Sequence, residues 1–178
     1  MKLLIASDIH GSAYYCRKML EAFEAEGASR LFLLGDLLYH GPRNDLPKEY
    51  APKQVIAMLN EKKQYLTNVR GNCDAEVDET ISEFEFHDHI LMEINGKKFY
   101  FTHGHKYNIE KIPYDDFDIM IYGHIHQGFI QEKEGYIFAN PGSISLPKCN
   151  TEHSYILIED NKIILKNVDG KVIQEYEF

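Results

Sequence analysis

The sequence predicts an α/β protein, a four-layer α/β/β/α sandwich in which two mixed β-sheets pack face to face with helices outside. Three observations carry that expectation. The first half alternates short apolar runs with amphipathic helical segments, as β-α-β-α-β. The second half turns to strands punctuated by tight-turn signals. Nothing linker-like, repeated or of low complexity separates the halves, so one domain over residues 1–178 is expected.

Lys2 to Ser7 is a short apolar run of the kind found in strands buried on both faces. Ser12 then sits where an N-cap belongs, ahead of a helix whose stripe is Cys16, Met19, Leu20 and Phe23, with Gly27 at the position of a C′ residue. Arg30 to Leu34 reads as the second strand. A Pro-rich, charged loop (Gly41 to Pro47) leads to a helix carrying Val55, Ile56 and Leu59, and Gln64 to Val69 reads as the third strand. In the second half, Ile90–Ile94 and Lys98–Thr102 flank Asn95-Gly96, a strong hairpin signal. Asp118–Tyr122, Tyr136–Ala139, Ser154–Ile158, Lys162–Asn167 and Val172–Tyr176 complete a run expected to be antiparallel. The acidic stretch from Glu76 to Glu85 reads as a solvated face.

Composition narrows the function. A hydrophobic content of 44% with 26% charged residues is that of an ordinary globular chain. The apolar run Leu3–Ala6 is too short for a signal segment and no run approaches membrane-span length, so the cytoplasm is expected and a membrane is not. Three scattered cysteines form neither a disulfide framework nor a zinc motif. A net charge of −9 argues against a nucleic-acid surface. It leaves room for a small phosphate-bearing substrate, because bound divalent cations outweigh a distant acidic surface.

Seven metal-type donors fall in five short motifs, each where a predicted strand ends: Asp8 and His10, Asp36, Asn72, His103, then His124 and His126. Along a strand, residues i and i+2 point the same way, so Asp8 with His10, and His124 with His126, are expected to present paired ligands. Oxygen and imidazole donors suit Mn, Fe, Co, Ni or Zn. Two such ions sharing one carboxylate are the usual apparatus for displacement at phosphorus.

This order of motifs, D-x-H, G-D, G-N, a later H and G-H-x-H, resembles the calcineurin-like metallophosphoesterase superfamily. Segments such as His40-Gly41-Pro42-Arg43-Asn44, Arg70 to Asp78, Thr102 to His105 and Asn140-Pro141-Gly142-Ser143 are similar to its YfcE-like phosphodiesterase group, over Met1 to about Lys148. The resemblance implies one metal on Asp8, His10 and His126 and another on Asn72, His103 and His124, with Asp36 between them. It further implies a phosphodiesterase with two divalent ions, Mn first among Ni, Co, Fe, Zn and Mg, and a hydroxide held between them as nucleophile. It also admits a homo-oligomer.

The chain departs from that pattern at the proton donor. Many members place a His after the Asn, where this chain has Cys73, a weak acid near neutrality. His40 falls where related phosphatases have a phosphate-contacting Arg, and is expected to bind a substrate oxygen or donate the leaving-group proton. The missing His at position 73 favours diesters with activated leaving groups over monoesters. The alternatives are a phosphomonoesterase on the same ligands and a metal-binding interaction scaffold of the same fold, as in a retromer subunit. Asp74 is expected to fix the loop around Asn72, His105 either to orient His103 or to occupy a surface turn, and Arg43 and Asn44 either to touch substrate or to shape their turn.

Overall fold

A computed structural model describes residues 2–178. Its elements are β1 (Leu3–Ala6), α1 (Ala13–Ala25), β2 (Arg30–Leu33), α2 (Pro52–Glu61), a 3-10 turn (Lys63–Tyr65), β3 (Leu66–Val69), α3 (Glu76–Ile81), β4 (Phe86–His87), β5 (Ile90–Ile94), β6 (Lys97–Thr102), β7 (Ile119–Tyr122), β8 (Gly128–Lys133), β9 (Tyr136–Pro141), β10 (Ser154–Glu159), β11 (Lys162–Asn167) and β12 (Val172–Glu177). They form a seven-stranded sheet in the order β12-β11-β10-β1-β2-β3-β4 and a five-stranded sheet in the order β5-β6-β7-β9-β8.

Strand alternation decides which residues build which layer. From β1 and β2, Leu4, Ala6, Leu31 and Leu33 face α1 and α2, where Cys16, Met19, Leu20, Phe23, Val55, Ile56 and Leu59 meet them. Their neighbours Leu3, Ile5 and Phe32 point the other way and pack on Phe99, Phe101, Ile119 and Ile121 of the second sheet. The interior between the sheets is thus apolar on both sides, and truncating one of these Ile or Leu side chains to Ala would destabilise by about 2–5 kcal/mol. At one edge Gln174 of β12 bridges the sheets, its amide oxygen accepting from Ile130 N–H (2.9 Å) and its NH2 donating to Ile130 O (2.6 Å).

Helix α1 starts as its sequence suggests: Ser12 Oγ accepts the Tyr15 N–H at 3.2 Å, and Gly27 takes the left-handed backbone (φ +62°) past its end. The two mixed sheets with helices outside match the expected class. On the outer face of the five-stranded sheet, however, segment 104–117 covers Tyr100, Met120 and Tyr122 as turns and one isolated bridge (Asn108↔Lys111), not as a helix.

The expected antiparallel run needs correction. Hairpins β5–β6 and β8–β9 are antiparallel, but β7 runs parallel to both β6 and β9. The acidic stretch is exposed as expected and also folds: Asp78 accepts the Ala75 N–H at 2.8 Å, which starts α3. Because β1, β2 and β3 are parallel, and β6 runs parallel to β7, their carboxyl ends gather the following loops at one end of the sandwich.

Candidate metal centre

Asp8 and His10 follow β1, Asp36 follows β2, Asn72 follows β3, His103 follows β6, and His124 and His126 follow β7. The chain is no longer extended at these points. Asp8 (φ 58°), His10 (49°), Asp36 (56°), His124 (68°) and His126 (59°) all adopt the left-handed backbone. That conformation is uncommon outside glycine and concentrates at functional sites, where surrounding contacts must hold it. Here Asp8 N–H donates to Gly35 O (3.1 Å) and His10 N–H to Asp36 O (2.9 Å).

The left-handed turns replace the strand alternation expected from sequence, and the outcome differs for the two pairs. Asp8 and His10 remain together, joined by His126, while His124 parts from His126 and joins Asp36 and His103. In the first group His126 Nε2 lies 3.2 Å from Asp8 Oδ1 and 3.1 Å from His10 Nε2, which is itself 3.5 Å from Asp8 Oδ1. In the second, His103 Nε2 lies 3.4 Å from Asp36 Oδ2, 3.0 Å from Asn72 Oδ1 and 3.2 Å from His124 Nδ1. Asp36 Oδ2 is also 3.7 Å from His10 Nε2, so one carboxylate oxygen faces both groups.

Tautomers can be assigned from the partners. The Nδ1–H groups of His10, His103 and His126 donate to the carbonyls of Tyr39 (2.7 Å), Leu34 (2.6 Å) and Leu146 (2.7 Å). A carbonyl only accepts, so each ring carries a proton on Nδ1 and turns its Nε2 inward, where it can take a metal once any second proton is displaced. The Nε2 atoms of His10 and His126 close on each other and on buried Asp8 Oδ1, so a proton or a cation must lie among them. Inward Nε2 atoms around a buried carboxylate oxygen suit divalent cations, and the O/N donor set is of the right type.

The charges are strongly coupled. Burial pushes the Asp8 carboxyl up, but the His10 and His126 rings overcome it and hold Asp8 well below the usual carboxylate range. Burial opposes a charge on His103, yet Asp36 and Asp8 raise its pKa to about 9. His124 goes the other way, pushed down to about 4 by burial and by the charge on His103.

A supporting layer holds these loops. Asp74, buried at 8% exposure, accepts the N–H groups of Leu37 (2.8 Å), Asp36 (2.9 Å) and Gly71 (2.7 Å), tying the Asp36 loop to the Asn72 loop. Ser143 Oγ (2.7 Å) and Ser145 Oγ (3.0 Å) both donate to Asp8 O, and Asn140 donates to Gly123 O (2.8 Å). Asn140 and Ser143 stand in the sequence only as part of the resemblance, and nothing in the sequence singles out Ser145. Two glycines are sterically required: a Cβ on Gly71 would lie 2.1 Å from Asp36 Oδ1, and one on Gly123 1.9 Å from Ser7 Oγ.

The groups open into a cavity of about 170 Å³ lined by His10, Asp36, Asn72, His124, His126, Cys73, the turn Gly41–Asn44 and Lys148. His40 directly precedes that turn and is half-buried, its ring packed edge-on against Tyr39 and Tyr50 at centroid distances of 4.8 and 5.2 Å. Gly41 takes the left-handed backbone (φ +80°) where the chain enters the rim. Cys73 does line the cavity, but burial and the nearby Asp36 push its thiol up to about 12. His105 is exposed with its ring 5.4 Å from that of His103, whose orienting partner is the Leu34 carbonyl instead.

Comparison with known proteins now has a geometry to meet. The family model described as the calcineurin-like phosphoesterase superfamily domain matches residues 1–162. The chain belongs to that superfamily. Phosphodiesterase YfcE of Escherichia coli (strain K12) is 42% identical over 166 residues, spanning 90% of this chain and 89% of that protein. Probable metallophosphoesterase YsnB of Bacillus subtilis (strain 168) is 26% identical over 89% and 83%. The solved structure of the Escherichia coli phosphoesterase Yfce superposes with a TM-score of 0.95 at 36% identity, covering 99% of each chain. Vps29 of Entamoeba histolytica shares the fold alone, with a TM-score of 0.66 at 22% identity over 100% of this chain and 99% of that one. As a calcineurin-like phosphoesterase the chain is a hydrolase. Among the described residues, no helix is long and apolar enough to cross a membrane.

Proposed function

We propose that this chain is a cytoplasmic phosphodiesterase that works with two divalent cations, manganese by preference, on a small diester substrate. One cation would sit on Asp8, His10 and His126 and the other on Asn72, His103 and His124, with Asp36 serving both. The observation that carries the proposal is the set of three buried imidazoles whose Nδ1–H groups are committed to carbonyls and whose Nε2 atoms converge on Asp8 and Asp36. Bound there, the cations would activate water near neutral pH and offset charge on the phosphoryl oxygens.

The chain's own residues narrow the substrate. Cys73, a thiol where many superfamily members carry a His, is a weak acid near neutrality. With so weak a donor at that position, esters that leave as stable anions are favoured, and diesters with activated arms are the class best served.

The test is a panel of aryl mono- and diesters against Mn, Ni, Co, Zn and Mg. Hydrolysis of bis(p-nitrophenyl) phosphate should vanish with EDTA and return with Mn. No turnover with any of the five ions would assign the chain to non-catalytic relatives of the fold. The simple aryl monoester should react at least about tenfold more slowly; comparable rates would remove the diester preference.

A further inference from the structure

The cavity rim carries two cations that the protein itself leaves unused. Of the four arginines, Arg17 pairs with Glu49, Arg70 with Glu79, and Arg30 donates to the Gln64 carbonyl at 2.8 Å. Arg43 alone has no such partner among the described residues. Lys148, which lines the same cavity, likewise has no carboxylate within 4.0 Å among them. In a chain of net charge −9, two unpaired cations lining one small cavity call for an anionic partner.

Both cations are carried by segments that also orient metal-type donors. Tyr39 O accepts from His10 Nδ1, and four residues on, Arg43 emerges from a turn pinned by Asn44 Nδ2 donating to His40 O (2.7 Å). At Gly41 the same turn closes onto Cys73, whose Sγ would be 3.4 Å from a Cβ placed there. Small Cys73 is thus the floor on which the turn rests. On a second segment, Leu146 O accepts from His126 Nδ1, and Lys148 N–H donates back to His126 O at 2.9 Å. Arg43 and Lys148 are therefore indexed to the imidazoles of His10 and His126 and line one cavity.

We propose that Arg43 and Lys148 are specificity-determining residues that bind a second anionic group, a carboxylate or a phosphate, on an arm of the substrate ester. This deepens the phosphodiesterase proposal and rests on it: the centre takes the scissile phosphoryl group, and the rim takes the second anion. Guanidinium and ammonium groups suit such a partner through charge-assisted hydrogen bonds. Because both are exposed, their contribution is modest and screened by salt.

Binding to the manganese-loaded protein, followed by calorimetry, tests this without turnover. Propylphosphonate has one anionic end; 3-phosphonopropionate adds a carboxylate, and propane-1,3-bisphosphonate adds a second phosphonate. At least one doubly anionic ligand should bind about tenfold more tightly than propylphosphonate, and the better of the two identifies the anion class. Raising NaCl to 0.5 M should shrink that preference. Arg43→Ala with Lys148→Ala should erase it, while Arg43→Lys with Lys148→Arg should keep most of it. No preference in the wild type, or equal weakening of all three ligands in the alanine variant, overturns the proposal. Hydrolysis of bis(p-nitrophenyl) phosphate, which has no second anion, reports separately on the phosphodiesterase proposal.

Discussion

On one side of the site Asp8, His10 and His126 are shut away from solvent; on the other, Asn72 is exposed and His124 half-buried. The closed side orients two imidazoles through carbonyls and supports Asp8 with two serine hydroxyls. Among the described residues, the open side relies on His103 for its one carbonyl-oriented ring, with the Asn72 side chain held by its contacts with His103 and Cys73. The contrast teaches that one fold can build a preorganised half-site and an adaptable one within a few ångströms. The first should hold its cation tightly, and the second should exchange.

The harshest way to break the asymmetry is at the residue both sides share. Asp36→Asn should remove on the order of 1,000-fold or more of the activity and flatten both binding events in a Mn titration, beyond the 10–100-fold typical of supporting residues. A variant that lost only one event would confine Asp36 to one side. Next, Asn72→Ala should abolish the weaker event and spare the tighter one, whereas His126→Ala should do the reverse; identical isotherms would erase the distinction. Ser143→Ala with Ser145→Ala should weaken the tight event by about tenfold, through Asp8, and leave the weak one nearly untouched.

The smallest effect is a slope. In the metal-free protein His103, raised to about 9 against the pull of burial by Asp36 and Asp8, keeps a proton at neutral pH that a cation must displace. His124, pushed down to about 4 by burial and His103, has none to lose. Binding releases a proton, so affinity of the open side should rise with pH, by at most about tenfold per unit, and level off near pH 9. A flat profile between neutrality and that point would contradict the charge state assigned to His103.

How much of this was legible beforehand depends on the kind of signal each feature carries. The β1–α1–β2–α2–β3 half was readable because apolar period and caps are local, and Ser12 and Gly27 do what their types suggest. Strand β8 was missed: Gly128 to Lys133 is half polar, and its partner β9 is fixed by a Glu134-Gly135 turn with weak sequence contrast. The parallel placing of β7 was not readable either, since the covering segment 104–117 has no helical period to announce a crossover. At the site, the donor types were plain from sequence. The left-handed backbone at Asp8, His10, Asp36, His124 and His126 was not, nor were the carbonyls of Tyr39, Leu34 and Leu146 that aim the rings. A backbone carbonyl has no residue type, so no motif can name it.

The 3.1 Å approach of His10 Nε2 to His126 Nε2 also bears on how long the protein lasts. Two ring nitrogens crowded beside a buried carboxylate oxygen need a cation or a proton among them. That crowding exists in the folded state alone, because unfolding scatters the three groups, so a cation bound there stabilises the fold. Loading at a hundredfold excess over the dissociation constant would add about 2.7 kcal/mol of stability by mass action. Metal supply would then govern how often the chain unfolds, how hot it can be kept and how readily proteases consume it, before any substrate is met.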